Sequence, residues 1–389
     1  MRVAFTLIGG KTWTGGANFL LNLLTIVSAH QTGRLTPVLF VEEDMTDTDL
    51  SAFEAIPGLE LVRTPLLNMD RRRNSLLQSL FLGRDRAVRQ MFVAHRIDLV
   101  FESARFFGWR LGIPAITWIP DMQHRALPHL FPRVAWWKRE IGFRAQLFGK
   151  RSVMVSSKDT KRACELYYPA SRGKIGVVHF AIPPGPVIGE AEARAMADHY
   201  GLPEKYIFMP NQFWRHKNHG LVLEALRLLK DQGTSIVIAA SGMLSDPRDP
   251  SYFPSFFERI QKLGLTDDFR LLGMIPYPHL ALLMRASTAM INASLFEGWS
   301  TTVEEAKSLG TPLILSDIDV HREQMGDGAL YFDRTSAASL ANVISDFVPA
   351  SQDERNERCR RARQDALNRV ADFADHFCAF VEASARKTS

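Results

Sequence analysis

With 389 residues, 46% of them hydrophobic and 23% charged, the chain is too long for one hydrophobic core and too apolar to remain disordered, so two globular domains are expected. The three cysteines, Cys164, Cys359 and Cys378, are too scattered for a disulfide framework or a zinc or redox spacing, which points to reduced thiols in the cytoplasm. The net charge of +5 is unevenly spread: residues 1–185 hold 25 Lys/Arg against 15 Asp/Glu and the remainder 22 against 27, so the first half suits an anionic surface, although solvated arginine-rich helices give the same figures.

In chain order, MRVAFTLIGG is a short apolar run ending in two glycines, without the longer apolar core and cleavage site of a signal peptide, and it reads as a first strand. No run of about 18 uncharged apolar residues follows, so no spanning helix is expected. Further strand candidates are PVLFV from Pro37, LELV from Leu59, DLVF from Asp98, PAITWI from Pro114 and SVMVSS from Ser152, with helical segments between them. AIPPGPVIGE, Ala181 to Glu190, breaks the pattern as a linker would and sets the boundary between domains at 1–185 and 186–370. The alternation restarts with YIFMP at Tyr206, SIVIAAS at Ser235, FRLLG at Phe269, AMINAS at Ala289, PLILSD at Pro312 and ALYF at Ala329. The last stretch spaces its apolar residues by three and four, which predicts one or two amphipathic helices. Alternating strands and helices of this kind give α/β domains with parallel sheets.

SLFEGWSTTVEEAKSLGTPLILSD, Ser294 to Asp317, combines a strand end, a Gly-containing turn and a helix beginning near Ser300 or Thr301, whose hydroxyls suit an N-cap. Free amides at such a helix start attract phosphate. Glu297 before the turn and Glu305 inside the helix are placed to accept hydrogen bonds from sugar or ribose hydroxyls. Paired glutamates near a helix start are more often capping and solvated charge than a site, and a third glutamate, Glu304, makes the solvated role natural for at least one of them. In FMPNQFWRHKNHGLVLEAL, Arg215 and Lys217 stand at a helix start, which the helix dipole disfavours unless an anion is present. GGKTWTGGANFLLNLL places Gly15 and Gly16 after the first strand, without the GxGxxG spacing of a dinucleotide fingerprint. TWIPDMQHRALPHLFP puts Asp121 and His124 just past a strand, at the carboxyl edge where open α/β sheets bind ligands.

Taken together these segments resemble family 4 of the retaining glycosyltransferases (glycosyl transferases group 1), of the bacterial polysaccharide and lipopolysaccharide type. Glu297 and Glu305 match the ends of its EX7E motif, Arg215 and Lys217 its cations facing the donor diphosphate, and Gly15-Gly16 its glycine-rich loop. The WIPD-x-QH-x-x-x-P stretch matches one found in many bacterial members, with Pro120 where some relatives carry a histidine before the aspartate. The resemblance implies the GT-B fold: two Rossmann-like parallel-sheet domains facing a central cleft, the first for the acceptor and the second for the donor, with a C-terminal helix, 371–385, crossing back to the first. It implies transfer of a sugar from a nucleoside-diphosphate sugar to a glycan or lipid-linked acceptor, with retention, in cell-surface polysaccharide biosynthesis. Donor binding then falls to Gly15, Gly16, Arg215, Lys217, Glu297, Gly298, Trp299, Ser300, Thr301 and Glu305, and catalysis to Glu297, His124 and Asp121. No metal and no cofactor beyond the donor co-substrate is expected, Ser316–Asp319 (SDID) matching a turn without a metal role in that family. A nucleotide-sugar epimerase and a non-catalytic scaffold of the same fold remain open. Nucleic acid is not expected as a partner, because no binding motif accompanies the basic charge.

Residues 125–151 interleave Phe131, Trp136, Trp137, Phe143 and Phe148 with Arg133, Lys138, Arg139, Arg144, Lys150 and Arg151. As one amphipathic helix, aided by Arg71 to Arg73, this stretch suits the anionic inner face of the cytoplasmic membrane. Aromatics turned to the core with solvated cations is the competing arrangement.

Overall fold

The computed structural model describes residues 1–7, 14–31, 33–103 and 105–387, apart from the side chains of 14 and 15. It divides into two compact units: Met1–Met122, Arg133–Ala181 and Arg369–Ser389 form the first, Gln123–Pro132 and Ile182–Asn368 the second.

The first unit carries β1 (Arg2–Thr6), β2 (Thr36–Glu42), β3 (Glu60–Thr64), β4 (Leu99–Ser103), β5 (Ala115–Ile119), β6 (Ser152–Val155) and β7 (Ile175–Val177) in one sheet of order β3-β2-β1-β4-β5-β6-β7. All its pairings are parallel. Parallel strands covered on both faces need apolar side chains at consecutive positions, as Val38, Leu39, Phe40 and Val41 of β2 show by their burial. The sequence did not announce β7. It is three residues long and contains Gly176, where a Cβ would sit 2.3 Å from the ring of Phe380.

Phe380 belongs to the helix Gln352–Arg386, a single element rather than two. From Arg369 onward it is part of the first unit, where Phe377 lies 6.4 Å from Phe5 and 5.8 Å from Phe101 by ring centroids. Arg34 binds both Asp375 and Glu382 at its edge. This stretch covers part of one face of the first sheet, beside the helix Thr14–His30, whose Phe19 stacks on Trp118 at 4.0 Å.

The second unit carries β8 (Tyr206–Pro210), β9 (Val237–Ser241), β10 (Phe269–Gly273), β11 (Ala289–Asn292), β12 (Leu313–Ser316) and β13 (Leu330–Phe332), all parallel, in the order β10-β9-β8-β11-β12-β13. One face is covered by the helices His219–Asp231 and Ala337–Asp346, the other by Glu190–His199 and Tyr277–Ala286, each through its own apolar cluster. Both sheets run outward in both directions from a central strand pair, the Rossmann-like arrangement.

The stretch expected as one helix over 125–151 is broken. It forms a short turn of helix, Gln123–Ala126, a 3-10 turn, Pro128–Leu130, and then the helix Arg133–Leu147. Pro128 and Pro132 explain the breaks, since each lacks an N–H and pushes its predecessor out of helical geometry. No helix among the described residues is long and apolar enough to cross a membrane.

Candidate functional site

In the second sheet the strand order reverses direction between β8 and β11, and the carboxyl ends of such a pair open a crevice. The loop after β8 enters a 3-10 turn, Arg215–Lys217, and Asn218 then adopts left-handed geometry (φ 60°, ψ 34°) to start the helix His219–Asp231. The loop after β9 presses against it: Gly242 sits at φ 146°, and a Cβ there would lie 2.5 Å from the carbonyl oxygen of Asn211.

These turns bring Lys217 to Glu297 in the loop after β11, with Nζ 2.5 Å from Oε1 and the two side chains 13% and 10% exposed. Ser294 donates its hydroxyl to the same oxygen at 2.6 Å, and Ser294 Oγ is itself 2.7 Å from Asn292 Oδ1. His321 is wholly buried behind this group. Its Nδ1 is 2.9 Å from the carbonyl oxygen of Ser316, which only accepts, so Nδ1 carries the proton. Burial pushes its pKa down to about 4, against the pull of the Glu297 carboxylate.

The helix Thr301–Leu309 starts where expected, but its cap differs. Ser300 makes no side-chain cap bond, because its hydroxyl accepts from Asn292 Nδ2 at 3.0 Å instead. Its backbone N–H goes to Gln324 Oε1 at 3.1 Å. Gln324 also donates to the Ser300 carbonyl and to Glu304, both at 3.1 Å. Glu304 is therefore buried and held from within, so it is not the solvated member of the three glutamates. Gly298 and Trp299 lie in the loop before Ser300, and Thr301 opens the helix. Glu305 keeps some surface yet stands among dense protein, and burial pushes its carboxyl up to about 7 while the Tyr277 hydroxyl, donating at 2.9 Å, pulls the other way.

Arg215 is also occupied. Its guanidinium meets Asp249 at 2.5 Å and lies 5.4 Å from the ring of Tyr252. Arg248 sits beside it, held by Asp246, 3.0 Å from Gln123 Oε1 and 3.2 Å from His216 Nδ1, and within 5.5 Å of the rings of Trp214 and Phe131. Burial, with the charges of Lys217 and Arg248 adding to it, holds His216 well below the usual histidine range. Arg248, Asp246 and Tyr277 escaped the sequence reading, since the first two come from the loop after β9 and the third follows β10, both far in sequence from Lys217 and Glu297. Ser294, three residues before Glu297, was within reach of it.

Asp121 belongs to the first unit and pairs with Arg139 at 2.9 Å. His124 belongs to the second unit, wholly buried, with its ring edge-on to Phe131 at 6.5 Å. Gly15 and Gly16 form the first turn of the helix Thr14–His30, while the loop before them, 8–13, lies outside the described residues. In the SDID segment, Asp317 binds Arg322 through both carboxylate oxygens, and Asp319 begins the helix Asp319–Met325. Lys217, Glu297, Ser300, Thr301 and Glu305 thus share one end of the second sheet.

Residues 197–366 match the family described as Glycosyl transferases group 1. That stretch contains the whole Lys217–Glu297–Glu305 constellation. A curated relative, the O-antigen chain mannosyltransferase RfbU of Salmonella typhimurium, is 23% identical over 226 residues, 58% of this chain and 59% of that protein, so the chain spans under two thirds of the relative's length. A glycosyltransferase from Rickettsia africae is similar over 98% of this chain and 97% of its own, with TM-score 0.71 and 16% identity. Anabaena Alr3699/HepE, solved in complex with UDP and glucose, matches over 98% and 100% with TM-score 0.71 and 16% identity. WaaG, a glycosyltransferase involved in lipopolysaccharide biosynthesis, matches over 98% and 99% with TM-score 0.61 and 11% identity. At these identities the likeness shows the fold, which is GT-B.

Proposed function

We propose that the protein is a retaining glycosyltransferase that moves a sugar from a nucleoside-diphosphate sugar to a glycan or lipid-linked hydroxyl in cell-surface polysaccharide biosynthesis. The observation that carries this reading is the Lys217–Glu297 contact at the switch point of the second sheet, beside the start of the helix Thr301–Leu309. An ammonium, a guanidinium at Arg215 and the first-turn amides of that helix suit a diphosphate. The similarity to a relative named as an O-antigen chain mannosyltransferase favours a surface polysaccharide as the product.

In the reaction the bond from the anomeric carbon to the diphosphate oxygen breaks and its electron pair stays on the diphosphate. Lys217, Arg215 and the amides near Gly298 to Thr301 stabilise that charge. The acceptor oxygen bonds the anomeric carbon on the same face, and its proton passes to the departing phosphate. Each cation rests on a carboxylate in the free protein, Lys217 on Glu297 and Arg215 on Asp249, so the diphosphate shares these cations with their carboxylates when it binds. Glu297, fixed by Lys217 and Ser294, orients the donor sugar, and Glu305 binds the ribose. Asp121 and His124 keep the roles the resemblance gives them, contact with sugar or acceptor. The cations are side chains, so the reaction needs no added metal, and turnover is expected to survive EDTA.

A thermal-shift panel of GDP-, UDP-, TDP- and ADP-sugars tests the reading, because a ligand of the folded state raises the melting temperature. One nucleotide is expected to stabilise the protein. Glu297→Gln is expected to keep that shift while losing about a hundredfold or more in turnover. Absence of any nucleotide shift would remove the assignment, and full turnover in the folded variant would remove Glu297 from the site.

A further inference from the structure

The first unit carries large apolar side chains on its surface in one connected run. On the helix Arg133–Leu147, Val134 (81% exposed), Trp137 (58%) and Ile141 reach the surface at i, i+3 and i+7, one helix face, and exposed Phe148 follows the helix end. Several other side chains of this stretch are engaged within the unit. Glu140 is buried and accepts from Arg144 and Tyr168, Arg139 holds Asp121, and Phe143 packs into the core. A second helix, Arg72–Phe81, exposes Leu76, Leu77 and Phe81 (81%), with Leu82 just beyond it.

Trp109 links the two. Gly83, next to Leu82, accepts a hydrogen bond from the Arg110 N–H at 2.6 Å, and a Cβ on Gly108 would lie 2.2 Å from the Gly83 oxygen. From this fixed corner the part-exposed Trp109 donates Nε1 to the Ala145 carbonyl at 3.0 Å, with its ring 5.8 Å from that of Phe148. Around the run stand Arg71, Arg72, Arg73, Arg133, Lys138 and Lys150, none with an ion-pair partner among the described residues. Of the nearby acids, Glu140 is buried and Asp85 is buried as the N-cap of the helix Arg86–Ala94, leaving Asp70 on the surface.

We propose that this face docks on an anionic lipid bilayer, with Phe81, Leu82, Trp109, Val134, Trp137, Ile141 and Phe148 entering the interface and the unpaired cations lying on headgroup phosphates. Single apolar side chains standing well clear of two helices suit a soft interface, where no matching groove is required. Unpaired cations on the flanks select a negative surface. The inference goes beyond the glycosyltransferase reading and does not depend on it.

Co-sedimentation of the full chain with phosphatidylcholine vesicles, with and without phosphatidylglycerol, decides it. Binding is expected to need the anionic lipid and to weaken with salt. Two variants separate the contributions, Trp137→Ser/Ile141→Ser/Phe148→Ser for the apolar run and Arg133→Glu/Lys138→Glu/Lys150→Glu for the cations. The first is expected to lower partitioning roughly tenfold or more and the second about a hundredfold. All substituted side chains are exposed, and an unchanged melting temperature and nucleotide-sugar shift confirm that the variants are folded. Equal recovery with neutral and anionic vesicles, no recovery with either, or unchanged binding by the serine variant overturns the proposal. So does self-association that the serine variant abolishes without any vesicle binding, which would assign the face to a second copy of the chain.

Discussion

Glu305 holds its proton more tightly in the folded protein than in the unfolded chain, because burial raises its pKa from 4.5 to about 7. Across that window the folded state binds more protons, so the contribution of this residue to stability falls as pH rises, and the full cost of the buried carboxylate remains above it. In the proposed role, ribose hydroxyls donated to Glu305 would favour the ionised form, so nucleotide binding should tighten from about pH 6 to pH 8. Glu305→Gln removes the titration. Its melting temperature should gain on that of the parent as pH rises from about 5 to 8, and its nucleotide affinity should lose the matching slope. Parallel pH profiles for the two proteins would show that Glu305 does not titrate in this range. Sequence spacing placed Glu297 and Glu305 near one helix start, but it could not show that Lys217 lies on the first and Tyr277 on the second. Those partners sit 80 and 28 positions away, where no local pattern reaches.

The helix Thr301–Leu309 shows how an element is fixed at both ends by residues outside it. Its start was legible as a run of hydroxyls after a glycine turn, yet Asn292 competes for the Ser300 hydroxyl and Gln324 takes over the backbone. Its end is Gly310, left-handed at φ 69°, where a Cβ would come within 2.9 Å of the Arg358 backbone in the helix Gln352–Arg386. Gly310→Ala should cost about 2–4 kcal/mol, combining left-handed strain with a backbone clash. Gly201→Ala, at φ 64° with nothing within 4 Å, should cost only roughly 1 kcal/mol. Urea midpoints of the two variants measure the difference, and equal losses would show that the packing against Arg358 contributes nothing. The strands were the most legible elements, because buried parallel strands are written as apolar runs. Strand β7 was not, since its three residues include a glycine that makes room for Phe380.

For the whole molecule, the change of unit falls at Ala181 and Ile182, inside a Pro/Gly stretch, while the assignment of Gln123–Pro132 to the second unit has no local signature. That short excursion is held there in part by Arg248 on Gln123 and Phe131, contacts made across more than a hundred positions of chain. The helix Gln352–Arg386 serves both units, and its later half supplies Phe373, Phe377 and Val381 to the first core. Phe377→Ala should destabilise that unit by about 3–5 kcal/mol. The loss should appear as faster hydrogen exchange at Val3–Phe5 of β1 and Leu99–Phe101 of β4, beneath the missing ring. Unchanged exchange there would show that the helix only rests on the sheet. The same helix also sets an order of events during synthesis. The first of the two units waits for residues made after the second, so the part of its sheet under Phe373 and Phe377 stays uncovered while the entire second unit is translated, roughly ten to forty seconds. Early in its life the nascent chain is therefore a sticky half-built domain, and it depends on chaperones or on rapid closure by Arg369–Ser389 to escape aggregation.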